Sequence, residues 1–213
     1  WTASALFVVL LLLFSFRYVL FDSSLQNSLL GASSFSETSE SRGVVEEKNT
    51  AVALHGQVMK GLLSDPYFAS VDYLVSPQFS DRERSHLADV REVFYALRVA
   101  SWIVLFSWLG VLASLRDKQL IKKSLRLGAL GTLIVLLIAF VTPFSSLFSL
   151  AHAPFFSGDS WLFPSDSLLI QLYPQSFFAG LAWSMGVFLV IASVATVIIQ
   201  YLLNGSGGGG TGG

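Results

Sequence analysis

Three side chains have the types and spacing to do chemistry together: His86, Asp89 and His152. His86 and Asp89 stand three residues apart, so on a helix they share one face. A carboxylate there can fix the imidazole's tautomer and raise its basicity, which is what a general acid–base residue needs. A solvated helix end with ordinary polar residues would give the same local pattern. His152 follows an uncharged apolar run by about one to three turns, near the depth at which lipid esters lie; a histidine snorkelling at the interface is the plainer alternative. Histidine with a carboxylate, Asp89 or Asp159, also suits zinc, yet no His-x-x-x-His spacing is present. His55 is a third candidate, but it sits on an apolar stripe and is expected to be packed.

Composition restricts what can position these groups. Of 213 residues, 53% are hydrophobic and 13% charged, with a mean hydropathy of +0.64. A soluble domain carries about 25% charged residues, so this surface is not water-facing all round. Thirteen basic and fourteen acidic residues give a net charge of -1 and no cationic footprint for nucleic acid. Without cysteine, disulfides, thiolate nucleophiles and Cys-ligated metals fall away.

Four runs can each cross roughly 30 Å of hydrocarbon: residues 3–21, 93–115, 125–144 and 177–203. The expected fold is all-α, a four-span polytopic membrane protein with an extracytoplasmic helical and irregular cap. It forms one integral membrane domain over 1–203. Between the second and third runs, Arg116, Lys118, Lys122, Lys123 and Arg126 stand against Asp117 alone. By the positive-inside rule that loop is cytoplasmic, so both termini are too, and segments 22–92 and 145–176 share the outer face. Trp1 is not an initiator Met, which implies a natural start upstream, and the Gly-rich 204–213 tail reads as a flexible fused linker.

Within the outer segments, the Ser/Glu-rich stretch from Ser23 to Lys48 reads as a loop. Val52, His55, Met59, Leu62 and Leu63 recur at near-helical spacing. The aromatic stretch up to Phe79, with Tyr67, Phe68, Tyr73, Pro66 and Pro77, suits the headgroup boundary. Ser80-Asp81-Arg82-Glu83 is a capping box and predicts a helix starting at Asp81 that carries His86 into the second span.

Glu83-Arg84-Ser85-His86-Leu87-Ala88-Asp89-Val90-Arg91-Glu92-Val93-Phe94 resembles the H-x-x-[ED]-V-[KR]-x-[LV]-F segment of bacterial lipoprotein intramolecular transacylases. Ala151-His152, Phe155-Phe156, Trp161-Leu162-Phe163, Asp166 and Pro174 to Phe178 are similar to that family's second motif. Ala151 stands where the family has Phe, and Ser167 where it has Pro. The resemblance spans residues 3–203 and implies transfer of the sn-2 acyl chain of an S-diacylglyceryl-cysteine lipoprotein to the cysteine α-amine. Aminolysis of an ester needs no metal or cofactor. It needs a base for an amine of pKa near 7.7–8.0 and a donor for the oxyanion. The resemblance implies that His86 and His152 supply these, with Asp89 orienting and Trp161 and Asp166 supporting the loop. The implied partners are diacylglyceryl-modified lipoproteins and membrane phospholipid, the implied state a monomer. A metal-dependent membrane lipid hydrolase and a non-catalytic membrane scaffold are the competing classes.

Overall fold

The computed structural model describes residues 1–36, 48–64 and 78–205. Every regular element among them is a helix: α1 (Thr2–Phe21), α2 (Ser23–Ser36), α3 (Lys48–Leu63), α4 (Asp81–Ser114), α5 (Lys118–Val141), α6 (Phe144–His152), α7 (Leu168–Leu172) and α8 (Gln175–Gly205). The all-α expectation holds. Among the described residues, four helices are long and apolar enough to cross a membrane: α1, α4, α5 and α8 over Gln175–Leu202. The apolar part of α4 begins after Glu92, because Asp81, Arg82, Glu83, Arg84, Asp89, Arg91 and Glu92 crowd its first third. Pro143 lacks a backbone N–H and ends α5, whose cap Thr142 donates to the carbonyls of Ile138 and Ala139. The apolar run expected to reach residue 144 is broken there, because Phe144 starts α6 instead. The aromatic stretch around Tyr67, Phe68 and Tyr73 lies outside the described residues, as do the remainder of the Ser/Glu-rich stretch and the tail beyond 205.

The chain divides into two compact units. The first holds Trp1–Tyr18, Ala100–Pro143 and the described residues from Ser184 on. Here α1 and α5 approach so closely that a Cβ on Gly128 would stand 2.7 Å from Phe7 Cδ1 and 3.1 Å from the Ser4 carbonyl. Gly128, Ala129 and Thr132 form that face, as expected where lipid leaves packing to hold helices together. The Thr132 hydroxyl is satisfied within its own helix, donating to Gly128 O at 3.1 Å. Arg17 lays its guanidinium over Trp102, 5.8 Å from the ring centroid. The outward coat is apolar, with Leu137, Val141, Ile191 and Ile198 exposed and Phe140 78% exposed. Contiguous apolar surface of this kind suits lipid and not water.

The second unit comprises the described parts of Val19–Val99 and Phe144–Trp183. Its core gathers Leu30, Leu54, Val58, Phe79, Leu87, Leu172 and Phe177 from α2, α3, the bend before α4, the charged third of α4, α7 and the start of α8. Ser23–Ser36, expected as loop, is helical. Its serines are weak helix formers, but Asp22 caps it by accepting from Leu25 N at 2.9 Å, and Gln26 and Leu30, one turn apart, are both buried. Tertiary packing overrides composition. The α3 stripe is present but rotated by about one residue: its most buried positions are Ala51, Leu54, His55, Val58 and Leu62.

His55 is packed, as its stripe implied, inside a polar chain. Gln26 Nε2 donates to the carbonyls of Val19 and Leu20, at 2.7 Å and 3.0 Å. Its Oε1 therefore accepts from His55 Nε2–H, at 2.9 Å, and leaves Nδ1 to accept from Tyr173 O–H, at 2.9 Å. Burial agrees with these roles. It pushes the His55 imidazole down to about 4 and the Tyr173 phenol upward, so both stay neutral.

Tyr173→Phe removes one donor and leaves a buried imidazole nitrogen unpaired, a loss of about 1–3 kcal/mol by thermal unfolding in detergent. Because the folded pKa of His55 lies below its ordinary 6.5, its contribution is complete above pH 6.5 and is lost as pH falls towards 4. An unchanged melting point in Tyr173→Phe would contradict the network.

Candidate active site

The site begins at the first turn of α4. Ser80 and Glu83 form the capping box: the backbone N–H and hydroxyl of Ser80 both donate to Glu83 Oε2 at 2.8 Å, and Glu83 N–H donates to Ser80 Oγ at 3.3 Å. Glu83 is only 4% exposed, and its other oxygen accepts from Leu169 N–H of α7 at 2.8 Å. One carboxylate thus joins the starts of two helices that are distant in sequence. One turn along the same face stands His86.

His86 is 8% exposed, with its ring 4.9 Å from that of Phe156 and 5.3 Å from that of Phe163. Among the described residues its buried Nδ1 has no hydrogen-bond partner. Burial, reinforced by a charge on His152 and by Arg82 and opposed by Asp89, lowers its pKa from 6.5 to about 4. The ring is neutral at physiological pH.

His152 ends α6, and its Nδ1 lies 2.7 Å from the carbonyl oxygen of Phe148. A carbonyl only accepts, so Nδ1 carries the proton and the neutral ring keeps its lone pair on Nε2. Aromatic rings hold the imidazole on three sides: Phe148 at 4.1 Å, Trp161 stacked at 4.7 Å and Phe156 at 5.4 Å. The carbonyl of His152 accepts from the backbone N–H of both Phe155 and Phe156 at 3.0 Å, tying the turn that carries Phe156 back to the histidine. Both imidazoles therefore pack against one phenylalanine ring.

The other expected residues divide. Trp161 meets His152 directly. Asp89 is exposed and acts on His86 through space, without bonding to its Nδ1. Asp166 is exposed and contributes its backbone carbonyl, which accepts from Gln171 Nε2 at 2.9 Å. His55 belongs to the separate network described above. Among the described residues no three His, Cys, Asp or Glu side chains converge as a metal-binding group.

Sequence reasoning passes over Arg82. Its Nη2 donates to the carbonyls of Asp159 and Leu162, at 2.9 Å and 2.8 Å, and its guanidinium lies 5.1 Å from the centre of the Phe163 ring. A signal exists. A cation in the first turn of a helix opposes the macrodipole, so some contact outside the helix has to favour it.

Comparison with known proteins places this geometry. A family model described as lipoprotein intramolecular transacylase Lit matches residues 2–178. The membrane-integral lipoprotein intramolecular transacylase of Bacillus cereus has a similar fold, with a TM-score of 0.72 at 18% identity, over 96% of this chain and 94% of that one. Two variants of that protein, with a histidine replaced by arginine or by alanine, give TM-scores of 0.69 and 0.70, also at 18% identity. They cover 89% and 91% of their own chains and 96% of this one. No curated protein matches the sequence. At this identity the solved structures speak for the fold, while the family match spans most of the chain. With the family model matching residues 2–178 and four membrane-length helices among the described residues, the chain belongs to the lipoprotein intramolecular transacylase family.

Proposed function

We propose that His86 and His152 form the working pair of an intramolecular aminolysis that moves the sn-2 acyl chain of an S-diacylglyceryl-cysteine lipoprotein onto its own cysteine α-amine. The reaction class, acyl transfer within a lipoprotein, comes with the family. The amine nitrogen attacks the ester carbonyl, a C–N bond forms, and the C–O bond to glycerol breaks. The proton leaving nitrogen ends on the glycerol oxygen, so no cofactor or co-reactant enters the balance. Donor and acceptor sit on one molecule, and holding them in attack geometry can supply about 7–11 kcal/mol of the barrier.

One observation carries the division of labour: the bond from His152 Nδ1–H to Phe148 O. It leaves Nε2 as the lone-pair nitrogen, which suits His152 to take the amine proton and return it to glycerol. His86, kept neutral by burial, is a weak base but a good uncharged N–H donor, which suits it to the tetrahedral oxyanion. The aromatic walls of Phe148, Phe156, Trp161 and Phe163 exclude water and strengthen both interactions. Asp89 serves His86 by its charge, and Trp161 holds His152 by stacking. The protein acts as a monomer in the bacterial cytoplasmic membrane, with the substrate's acyl chains among the phospholipid.

The cations from Arg116 to Arg126 support a cytoplasmic loop there, and hence a site on the extracytoplasmic face with both termini inside. A cysteine at exposed Ser157 should react with an impermeant thiol reagent in intact cells, and one at Gln119 should not. Labelling at Gln119 alone would reverse the orientation.

His86→Ala or His152→Ala should lower N-acyl lyso-lipoprotein formation by at least about a hundredfold, the scale of a lost acid–base or oxyanion group, with the helices intact. Mass spectrometry of the lipoprotein N-terminus reads the product. Wild-type product in either variant would remove that histidine from the reaction.

A further inference from the structure

The geometry points to Arg82 as a positioning residue that holds the 159–163 loop so that Trp161 and Phe163 meet the two histidines. The inference rests on reading His86 and His152 as the reacting pair.

The loop has few internal ties. Gly158 takes a positive φ of 55°, Ser160 N–H donates to Ser157 O at 3.4 Å, and Leu162 N–H to Asp159 O at 3.1 Å. These make a turn but do not fix where it lies. Asp159 and Leu162 are exposed, so their burial does not hold it either. Arg82 joins the loop to α4 at both ends of the turn, because the two N–H groups of one guanidinium nitrogen reach the carbonyls of Asp159 and Leu162. Between those carbonyls stands Trp161, stacked on His152. Just beyond them stands Phe163, which lies under the guanidinium and packs against His86. One side chain therefore bears on both aromatic contacts, beside the packing of Phe163 against the core of its unit. α4 supplies the rigid base, since the Glu83 cap anchors the turn from which Arg82 projects.

Arg82 is itself exposed. Exposed polar contacts add little to global stability, so removing this one should loosen the loop without unfolding the chain. A misplacement of about 1 Å in an enzyme site can cost a hundredfold in rate. Arg82→Lys would keep the charge, but an ammonium lacks the planar fork and the flat face that lies on Phe163.

The test compares Arg82→Gln and Arg82→Lys in the full-length enzyme, with a diacylglyceryl lipopeptide in detergent as substrate. Arg82→Gln should lower kcat about ten- to a hundredfold with KM changed less than about twofold, and amide exchange of residues 157–163 should speed up while the melting point holds. Arg82→Lys should fall nearer to Gln than to wild type. Wild-type kcat in Arg82→Gln would overturn the clamp, as would a loss of kcat without faster exchange. Full rescue by Arg82→Lys would overturn it too, by assigning the effect to charge, and so would a rise in KM alone, which would make Arg82 a substrate contact. His152→Ala run alongside separates the two ideas: if it abolishes product while Arg82→Gln leaves kcat unchanged, the clamp fails and the histidine pair stands.

Discussion

A buried carboxylate is costly unless its oxygens meet donors, and Glu83 meets three: the backbone and hydroxyl of Ser80 on one oxygen, the backbone of Leu169 on the other. That single group starts α4, satisfies a donor at the start of α7, and holds the two together. Part of the proposed site hangs from this joint, while His152 is carried separately by α6. Arg82 shares the first turn of α4 with Glu83, His86 stands one turn further on, and the loop that carries Trp161 and Phe163 is reached from Arg82. Replacing Glu83 by an apolar residue would leave the donors at both helix starts unpaired at once, whereas replacing Asp89 leaves every one of these bonds in place.

The proposed chemistry follows from how each imidazole is desolvated. His86 is enclosed by Phe156 and Phe163, and burial disfavours its charged form. His152 is only partly buried but has one nitrogen committed to a backbone carbonyl four residues back, so helical geometry fixes its tautomer. On the proposed reading, two histidines of the same kind receive different tasks from their surroundings, one as neutral donor and one as base. The ring of Phe156 between them keeps both in one apolar wall.

Much of this is legible in the chain. Charge and hydropathy mark four membrane-length helices, and Ser80 with Glu83 marks the start of α4, because a capping box is a local interaction. Spacing puts His86 and Asp89 on one face, yet it cannot say that the imidazole turns towards Phe156 and Phe163 while the carboxylate stays in solvent. The serines of Ser23–Ser36 argue for a loop, while the helix there draws its stability from the burial of Gln26 and Leu30 against distant residues. The bond from Leu169 to Glu83 and both bonds of Arg82 join positions about eighty apart, and no local pattern encodes those pairings. The cation in the first turn of α4 is the one trace they leave.

The most direct test of the account is the protonation of the two rings, read by nitrogen NMR of ¹⁵N-histidine-labelled protein between about pH 5 and 8, with His86→Ala and His152→Ala used for assignment. His86 should be neutral throughout, since its pKa lies near 4, and neutral His152 should carry its proton on Nδ1. A His86 that gains its charge within that range, or a neutral His152 protonated on Nε2, would contradict the division into donor and base.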